Sequence, residues 1–158
     1  MPSPLYWVST IKQVSSFCIF GLWVKMFATI MIGATKASAT KNRTSEDERF
    51  MKNNEVSSTD VEAEKRYWAI EISDLETIPF ASLLFYGAMG AAFREDHMLA
   101  LVIMLPLFSF ARFLHTFSYA YANYGFAKFC HYTSLLLMAA MGISALAFNI
   151  DRLVNVGF

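Results

Sequence analysis

Charged side chains lie inside two apolar segments of this chain, at spacings that suit a buried site. Asp74 and Glu76 begin one apolar segment, and another contains Arg112, His115 and Tyr119. The last three residues are spaced by three and four positions, which places them on one face of a helix. Because an unpaired charge in lipid costs several kcal/mol, intramembrane charges usually mark a functional site. The opposite charges of the two segments predict that they pair and form the wall of one ligand pocket between helices.

The composition favours a membrane protein of one domain. The chain has 158 residues, of which 56% are hydrophobic and 16% are charged, whereas about 25% of the residues of a typical soluble domain are charged. The formal net charge is zero, which gives no electrostatic reason to expect a nucleic-acid partner. The two cysteines, Cys18 and Cys130, have no metal-binding spacing and are interpreted as small buried hydrophobic residues.

Four apolar segments are long enough to cross a bilayer as helices. They run from about 14 to 34, 71 to 93, 98 to 121 and 129 to 150, each close to the roughly 20 residues that a membrane-spanning helix needs. Short connections follow the second and third segments, so neighbouring helices are expected to be antiparallel. The predicted fold is an all-α integral membrane four-helix bundle, with residues 1–158 forming a single four-span domain.

The distribution of cations predicts the orientation of this bundle. Residues 36–66 carry seven basic and seven acidic residues and neither proline nor glycine, which is typical of a solvated loop with a charged helical part. Lys128 is predicted to face the same side of the membrane as this loop. The opposite side holds only three cations, Lys12, Arg94 and Arg152. The positive-inside rule therefore places the loop at residues 36–66 in the cytosol.

Two motifs in the apolar segments carry a resemblance to a known family. The first motif is Asp74-Leu75-Glu76 ahead of Pro79-Phe80, and the second is Arg112-x-x-His115-Thr116-x-x-Tyr119. In these motifs the chain resembles the membrane-associated proteins of eicosanoid and glutathione metabolism, in particular the microsomal glutathione transferases and microsomal prostaglandin E synthase. Two shorter segments, Lys25-Met26 and Ser45-Glu46-Asp47, are also similar to family segments in and after the first helix.

The resemblance implies a homotrimer in the endoplasmic reticulum or another internal membrane, with glutathione as co-substrate. By resemblance, Lys128 and Arg112 are the catalytic cations, Glu76 binds the amine of glutathione, and Ser73 takes the place of the family's Asn. The resemblance implies a glutathione site between subunits near the cytosolic side, formed by Lys36, Ser73, Glu76, Arg112, His115, Tyr119 and Tyr132. A cation near the thiol raises its thiolate fraction, which would activate glutathione.

The function that the resemblance implies is a membrane-bound transferase or peroxidase that uses the glutathione thiolate on lipophilic electrophiles entering from the bilayer. The chain departs from the family before Asp74, where Trp68, Ala69 and Glu71 replace the usual Arg residues and the frequent His. Two alternatives therefore stay open. One is a catalytically silent member that acts as a membrane scaffold or regulator, and the other is a variant with a different thiol or acid ligand.

Two further interpretations concern individual residues. A haem or quinone protein could use His115 and His131, but the sequence places these histidines at different depths, which suits a bis-histidine haem poorly. Glu76 and Arg112 could instead form a structural pair that fixes the helix register. Because Arg112, Lys25 and the acidic start of the second span are too polar for a lipid-facing surface, we expect them to be turned inward in a trimer.

The cation distribution generates a prediction about topology. Protease added outside intact microsomes is expected to cut the chain within residues 36–66, because the positive-inside rule exposes this segment to the cytosol. The products are identified by immunoblotting with terminal epitope tags, and detergent-opened microsomes serve as the control. Protection of the segment, or a glycan on Asn42 of the acceptor Asn42-Arg43-Thr44, would reverse the orientation.

Overall fold

The computed structural model of the chain describes residues 4–39, 58–92 and 94–156. The described residues form four helices, namely α1 (Pro4–Ala39), α2 (Ser58–Ala91), α3 (Glu95–Ala120) and α4 (Tyr124–Val156). The predicted all-α class is therefore confirmed. The predictions for Asn42 and for Ser45-Glu46-Asp47 fall outside the described residues.

Three of the described helices are long and apolar enough to cross a membrane. These stretches are Ser9–Ala37, Glu95–Ala120 and Tyr124–Asn155. In α2 the charged residues up to Glu76 leave too short an apolar run to meet the same standard. The second predicted span, at about 71 to 93, therefore stays a prediction. Residues 36–66, predicted as a solvated loop with a charged helical part, include helix at both ends, because α1 extends beyond Lys36 and α2 begins at Ser58.

The four helices pack as a bundle in which α2 and α3 contact each other and both outer neighbours. Contacts join α1 to α2 and α3, and α4 to α2 and α3, whereas α1 and α4 lie at opposite corners. The buried stripe of α2 recurs every three or four residues, and includes Ile70, Ile78, Ala81, Phe85 and Ala88. Large apolar side chains such as Phe17, Leu83 and Leu136 point outward, as expected for a surface solvated by lipid.

The turn between α3 and α4 uses one residue to cap both helices. The Asn123 N–H donates to the Ser118 carbonyl at 2.8 Å, and the Ala122 N–H donates to the Tyr119 carbonyl at 3.1 Å, the pair of bonds that defines a Schellman motif. The Asn123 side chain then accepts a hydrogen bond from the Phe126 N–H at 3.3 Å and caps α4. Ala122 takes the left-handed position of the motif, with φ of 59°.

This left-handed residue generates a prediction about stability. Ala122→Gly is expected to stabilise the protein by up to about 1 kcal/mol, because a Cβ is unfavourable at positive φ. The measurement is the free energy of unfolding in mixed detergent micelles, followed by circular dichroism.

The matched control places glycine in the interior of a helix. Ala139→Gly, at an exposed position of α4, is expected to destabilise the protein by roughly 0.5–1 kcal/mol. If both substitutions destabilise the protein equally, the claim that Ala122 is strained in this turn is wrong.

Candidate functional site

A buried ionic triad, consisting of Lys25, Asp74 and Arg112, joins α1, α2 and α3. The Lys25 Nζ donates to the two carboxylate oxygens of Asp74 at 2.6 and 2.5 Å. The Arg112 Nη2 donates to the Oδ1 of the same carboxylate. Asp74 and Arg112 have no exposed surface, and Lys25 is 7% exposed. One carboxylate therefore faces two cations inside the apolar bundle.

Pairing explains how these charges remain buried. An ionised group without a partner is very costly in an apolar medium, and removing one member of a buried pair leaves the other uncompensated. The planar guanidinium of Arg112 can serve several acceptors from a fixed geometry. It uses this geometry to bind Asp74 and Ser73 at the same time. The triad thus fixes the register of α1, α2 and α3.

A chain of contacts extends from the triad to α4. Arg112 Nη1 and Nη2 donate to the Ser73 Oγ at 3.3 and 3.2 Å, and this Oγ lies 3.4 Å from the Nδ1 of His131. We call the set formed by Lys25, Asp74, Arg112, Ser73 and His131 the polar relay. It includes at least one residue from every helix of the bundle.

Aromatic rings continue the polar relay toward the turn between α3 and α4. The ring centroids of His115 and His131 are 5.5 Å apart, and those of His115 and Tyr119 are 5.7 Å apart. Tyr119 also contacts Tyr124 with a centroid distance of 5.4 Å. The Arg112 Nε and the His115 Nδ1 have no hydrogen-bond partner within the described part of the chain.

The structure corrects the expected partner of Arg112. Opposite charges do meet between α2 and α3, but the carboxylate belongs to Asp74, and Glu76 is exposed. Residues two positions apart on a helix point about 200° apart, so both carboxylates cannot face the bundle. Asp74 is in phase with the buried residues Ile70 and Ile78, and this periodicity is the signal that distinguishes it from Glu76.

The sequence analysis did not predict Lys25 as a partner of Asp74. The sequence predicts that Lys25 turns inward in a trimer, whereas in the structure it binds Asp74 of its own chain. Its position between the buried residues Leu22 and Thr29 could have indicated an inward orientation. One chain buries and pairs Lys25, Asp74 and Arg112, whereas Glu76 stays exposed, so the trimer remains a prediction.

The expected separation of the two histidines is also wrong. His115 and His131 lie at the same level, and their rings contact each other at an angle of 43°. Axial ligands of a haem face each other across the porphyrin, whereas these rings pack directly together. The antiparallel turn at residues 121–123 brings the end of α3 beside the start of α4, which accounts for the juxtaposition.

Other predicted site residues lie on the outer surface of α2 and α4. Tyr132 is exposed, and its ring centroid is 5.9 Å from that of His131. Lys128 is exposed one helical turn before Tyr132, on the same face of α4. Glu76 is exposed one helical turn after Ser73, whose Oγ lies 3.4 Å from the Nδ1 of His131. Lys36 lies in the last turn of α1, which does not contact α4, so one chain does not bring it to this group.

The side chains predicted to form the wall of the ligand pocket do not line the groove between α1 and α3. This groove has a volume of about 580 Å³ and an apolar lining with a few polar groups, including Lys25, Thr29, Tyr67 and Thr116. Arg112, His115 and Tyr119 lie outside its lining. A second groove of about 270 Å³ lies between α3 and α4 and is lined by apolar residues such as Phe110, Phe126 and Phe129, together with Cys130 and Thr133.

Comparisons with family models, curated proteins and solved structures found no match to this chain. The family resemblance is therefore carried by the motifs alone. Within the described residues, no group of three or more His, Cys, Asp or Glu side chains is placed to hold a metal ion.

The triad generates a prediction about stability. Asp74→Asn is expected to destabilise the protein by about 3–5 kcal/mol, because Lys25 and Arg112 lose their only carboxylate partner in the triad. The measurement is unfolding in mixed detergent micelles, with secondary structure followed by circular dichroism. Glu76→Gln is the matched control, since it neutralises an exposed carboxylate on the same helix and is expected to change stability little.

A double substitution separates charge from packing. Adding Lys25→Met to Asp74→Asn removes one of the two uncompensated cations, so the double variant is expected to be more stable than Asp74→Asn alone. Equal stability of Asp74→Asn and Glu76→Gln would contradict the assignment of Asp74 as the central partner.

Proposed function

We propose that the protein is a membrane-bound transferase or peroxidase that uses the glutathione thiolate on lipophilic electrophiles. In this proposal it is a homotrimer in the endoplasmic reticulum or another internal membrane, with residues 36–66 in the cytosol. The observation that carries the proposal is that Ser73 and His131, which are in contact, each lie within one helical turn of an exposed ionic group, Glu76 on α2 and Lys128 on α4, and that Tyr132 contacts the ring of His131. A largely buried polar network thus leads toward a carboxylate, a cation and a phenol at the bundle surface.

These exposed groups complement the chemistry of glutathione. The tripeptide has two carboxylates, an amine and a thiol, and a carboxylate such as Glu76 is suited to hold the amine. The ammonium of Lys128 is suited to stabilise the thiolate, and Tyr132 and Tyr119 supply hydroxyl groups. Arg112 has no exposed surface, so in this proposal it positions Ser73 and does not touch the tripeptide.

The reaction requires a thiolate at the site. With an electrophilic carbon, the sulfur forms a C–S bond while the electron pair of the broken bond departs with the leaving group. With a hydroperoxide, the sulfur attacks the outer oxygen, the O–O bond breaks and an alcohol is released. The resulting sulfenic acid of glutathione condenses with a second glutathione to give the disulfide and water.

The groove between α3 and α4 offers a route for the second substrate, the lipophilic electrophile. Its lining includes Phe129, the chain neighbour of Lys128, and its other walls are almost entirely apolar. A lipophilic electrophile dissolved in the bilayer can occupy such a groove without losing its apolar surroundings. In the proposal, this groove delivers the electrophile beside the cation that holds the thiolate.

A specific observation favours a second candidate, a catalytically silent scaffold or regulator. Arg112 is the first residue of the most distinctive motif, yet it is completely buried and bonded to Asp74 and Ser73. A residue used in this way stabilises the fold whether or not the protein has an activity. Binding of glutathione by the purified protein separates the two candidates.

The proposed role of Lys128 generates a prediction about activity. Lys128→Gln is expected to lower turnover by about tenfold with a smaller loss of glutathione affinity, because a cation near sulfur mainly stabilises the thiolate. Affinity is measured by isothermal titration calorimetry, the thiolate by its ultraviolet absorbance, and turnover with chlorodinitrobenzene and with cumene hydroperoxide.

Lys12→Gln is the matched control, since Lys12 is an exposed lysine near the opposite end of the bundle. Normal turnover in Lys128→Gln would show that Lys128 does not activate the thiol. No binding of glutathione to the wild-type protein would favour the scaffold.

A further inference from the structure

The hydroxyl group of Ser73 has unusual partners for a serine within a helix. Helix hydroxyls commonly donate to a carbonyl of the preceding turn, and on the same helix Thr77 donates to the Ser73 carbonyl at 2.6 Å and Ser82 to the Ile78 carbonyl at 2.8 Å. The Ser73 Oγ instead lies between the guanidinium of Arg112 and the ring of His131. Its hydrogen atom is therefore available to a neighbouring helix.

The contacts of this hydroxyl determine which nitrogen of His131 carries the proton. A guanidinium only donates, so Arg112 Nη1 and Nη2, at 3.3 and 3.2 Å, occupy the two lone pairs of the Ser73 Oγ. The hydroxyl can then only donate, and His131 Nδ1 is the acceptor at 3.4 Å. A neutral imidazole that accepts at Nδ1 carries its proton on Nε2.

The triad holds the guanidinium in the orientation that this arrangement requires. Asp74 accepts from Arg112 Nη2, and Lys25 holds the same carboxylate through both of its oxygens. Because the guanidinium is planar, fixing its Asp74 edge also fixes the nitrogens that face Ser73. The tautomer of His131 is thus set by a network that begins on α1.

The second nitrogen of His131 is placed for a ligand. His131 is partly exposed, and no described residue accepts a hydrogen bond from its Nε2. Nε2 lies on the side of the ring away from Ser73. Tyr132 contacts the ring, and Lys128 lies one turn earlier on α4. The surroundings therefore combine a neutral N–H donor with an exposed cation, a phenol and the exposed carboxylate of Glu76, which suits a ligand that carries a carboxylate next to an amine.

We propose that His131 is a ligand-binding residue, held as the Nε2–H tautomer by the polar relay, and that its Nε2–H donates to a carboxylate of the ligand. In this inference, which rests on the proposed function, the ligand is glutathione. Lys25, Asp74, Arg112 and Ser73 are positioning residues, because they act on the ligand through His131.

The first experiment reads the tautomer directly. In nitrogen-15 NMR spectra of histidine-labelled protein in micelles at neutral pH, His131 is expected to show protonation at Nε2, its signals being assigned by their loss in His131→Gln. Ser73→Ala is expected to convert this state into a mixture of tautomers, whereas Ser73→Thr keeps the hydroxyl and the Nε2–H form. Thr77→Ala is the control, since its hydroxyl bonds only its own helix backbone.

The second experiment reads ligand binding by isothermal titration calorimetry with glutathione. His131→Phe is expected to weaken binding by about tenfold, the effect of one lost hydrogen bond to a charged group. His131→Gln places an amide N–H near the position of Nε2 and is expected to restore most of the affinity. His131→Asn places its amide near Nδ1 and is expected to behave like His131→Phe.

The outcomes separate this inference from the proposed function. A wild-type His131 protonated at Nδ1, or unchanged affinity in His131→Phe, would overturn the inference while leaving the proposed function standing. If the wild-type protein binds no glutathione, the proposed function and the ligand named here are both wrong. The NMR result then tests only whether the polar relay sets the tautomer of His131.

Discussion

A single carboxylate organises this bundle. Asp74 binds Lys25 from α1 and Arg112 from α3, and neither Asp74 nor Arg112 has any exposed surface. Buried charges require their partners at fixed positions, whereas apolar side chains tolerate small shifts of one helix along another. The carboxylate therefore determines how the helices are aligned, and the apolar stripes of α2 and α3 supply the surrounding core.

The same alignment of the helices links the buried triad to the exposed residues of the candidate site. Arg112 serves the fold through Asp74 and the candidate site through Ser73, so one side chain has both roles. This dual use explains why the motif beginning at Arg112 is compatible with either an enzyme or a scaffold. The residues that distinguish these two candidates are the exposed ones, Glu76, Lys128 and Tyr132, because they are not required to neutralise the interior.

The sequence predicted the elements well and their mutual contacts only in part. The lengths of the apolar segments and the spacing of Arg112, His115 and Tyr119 are local features of the sequence. The helices and the inward face of α3 could therefore be predicted from them. The contact between Lys25 and Asp74 joins residues 49 positions apart and depends on the rotation of two helices. The meeting of His115 with His131 similarly depends on the tight turn at Ala122 and Asn123, which no local charge pattern indicates.

The separation between Lys25 and Asp74 also constrains how the protein is made. A lysine near the centre of a helix costs about 2.5–3.5 kcal/mol during insertion through the translocon, and its counter-ion lies 49 residues later in the chain. At a synthesis rate of about 5–20 residues per second, α1 emerges seconds before Asp74 and longer still before Arg112. If α1 enters a membrane as it is made, Lys25 has no counter-ion during that interval, and α2 supplies the carboxylate later. The buried triad can therefore form only after α1, α2 and α3 have all been translated.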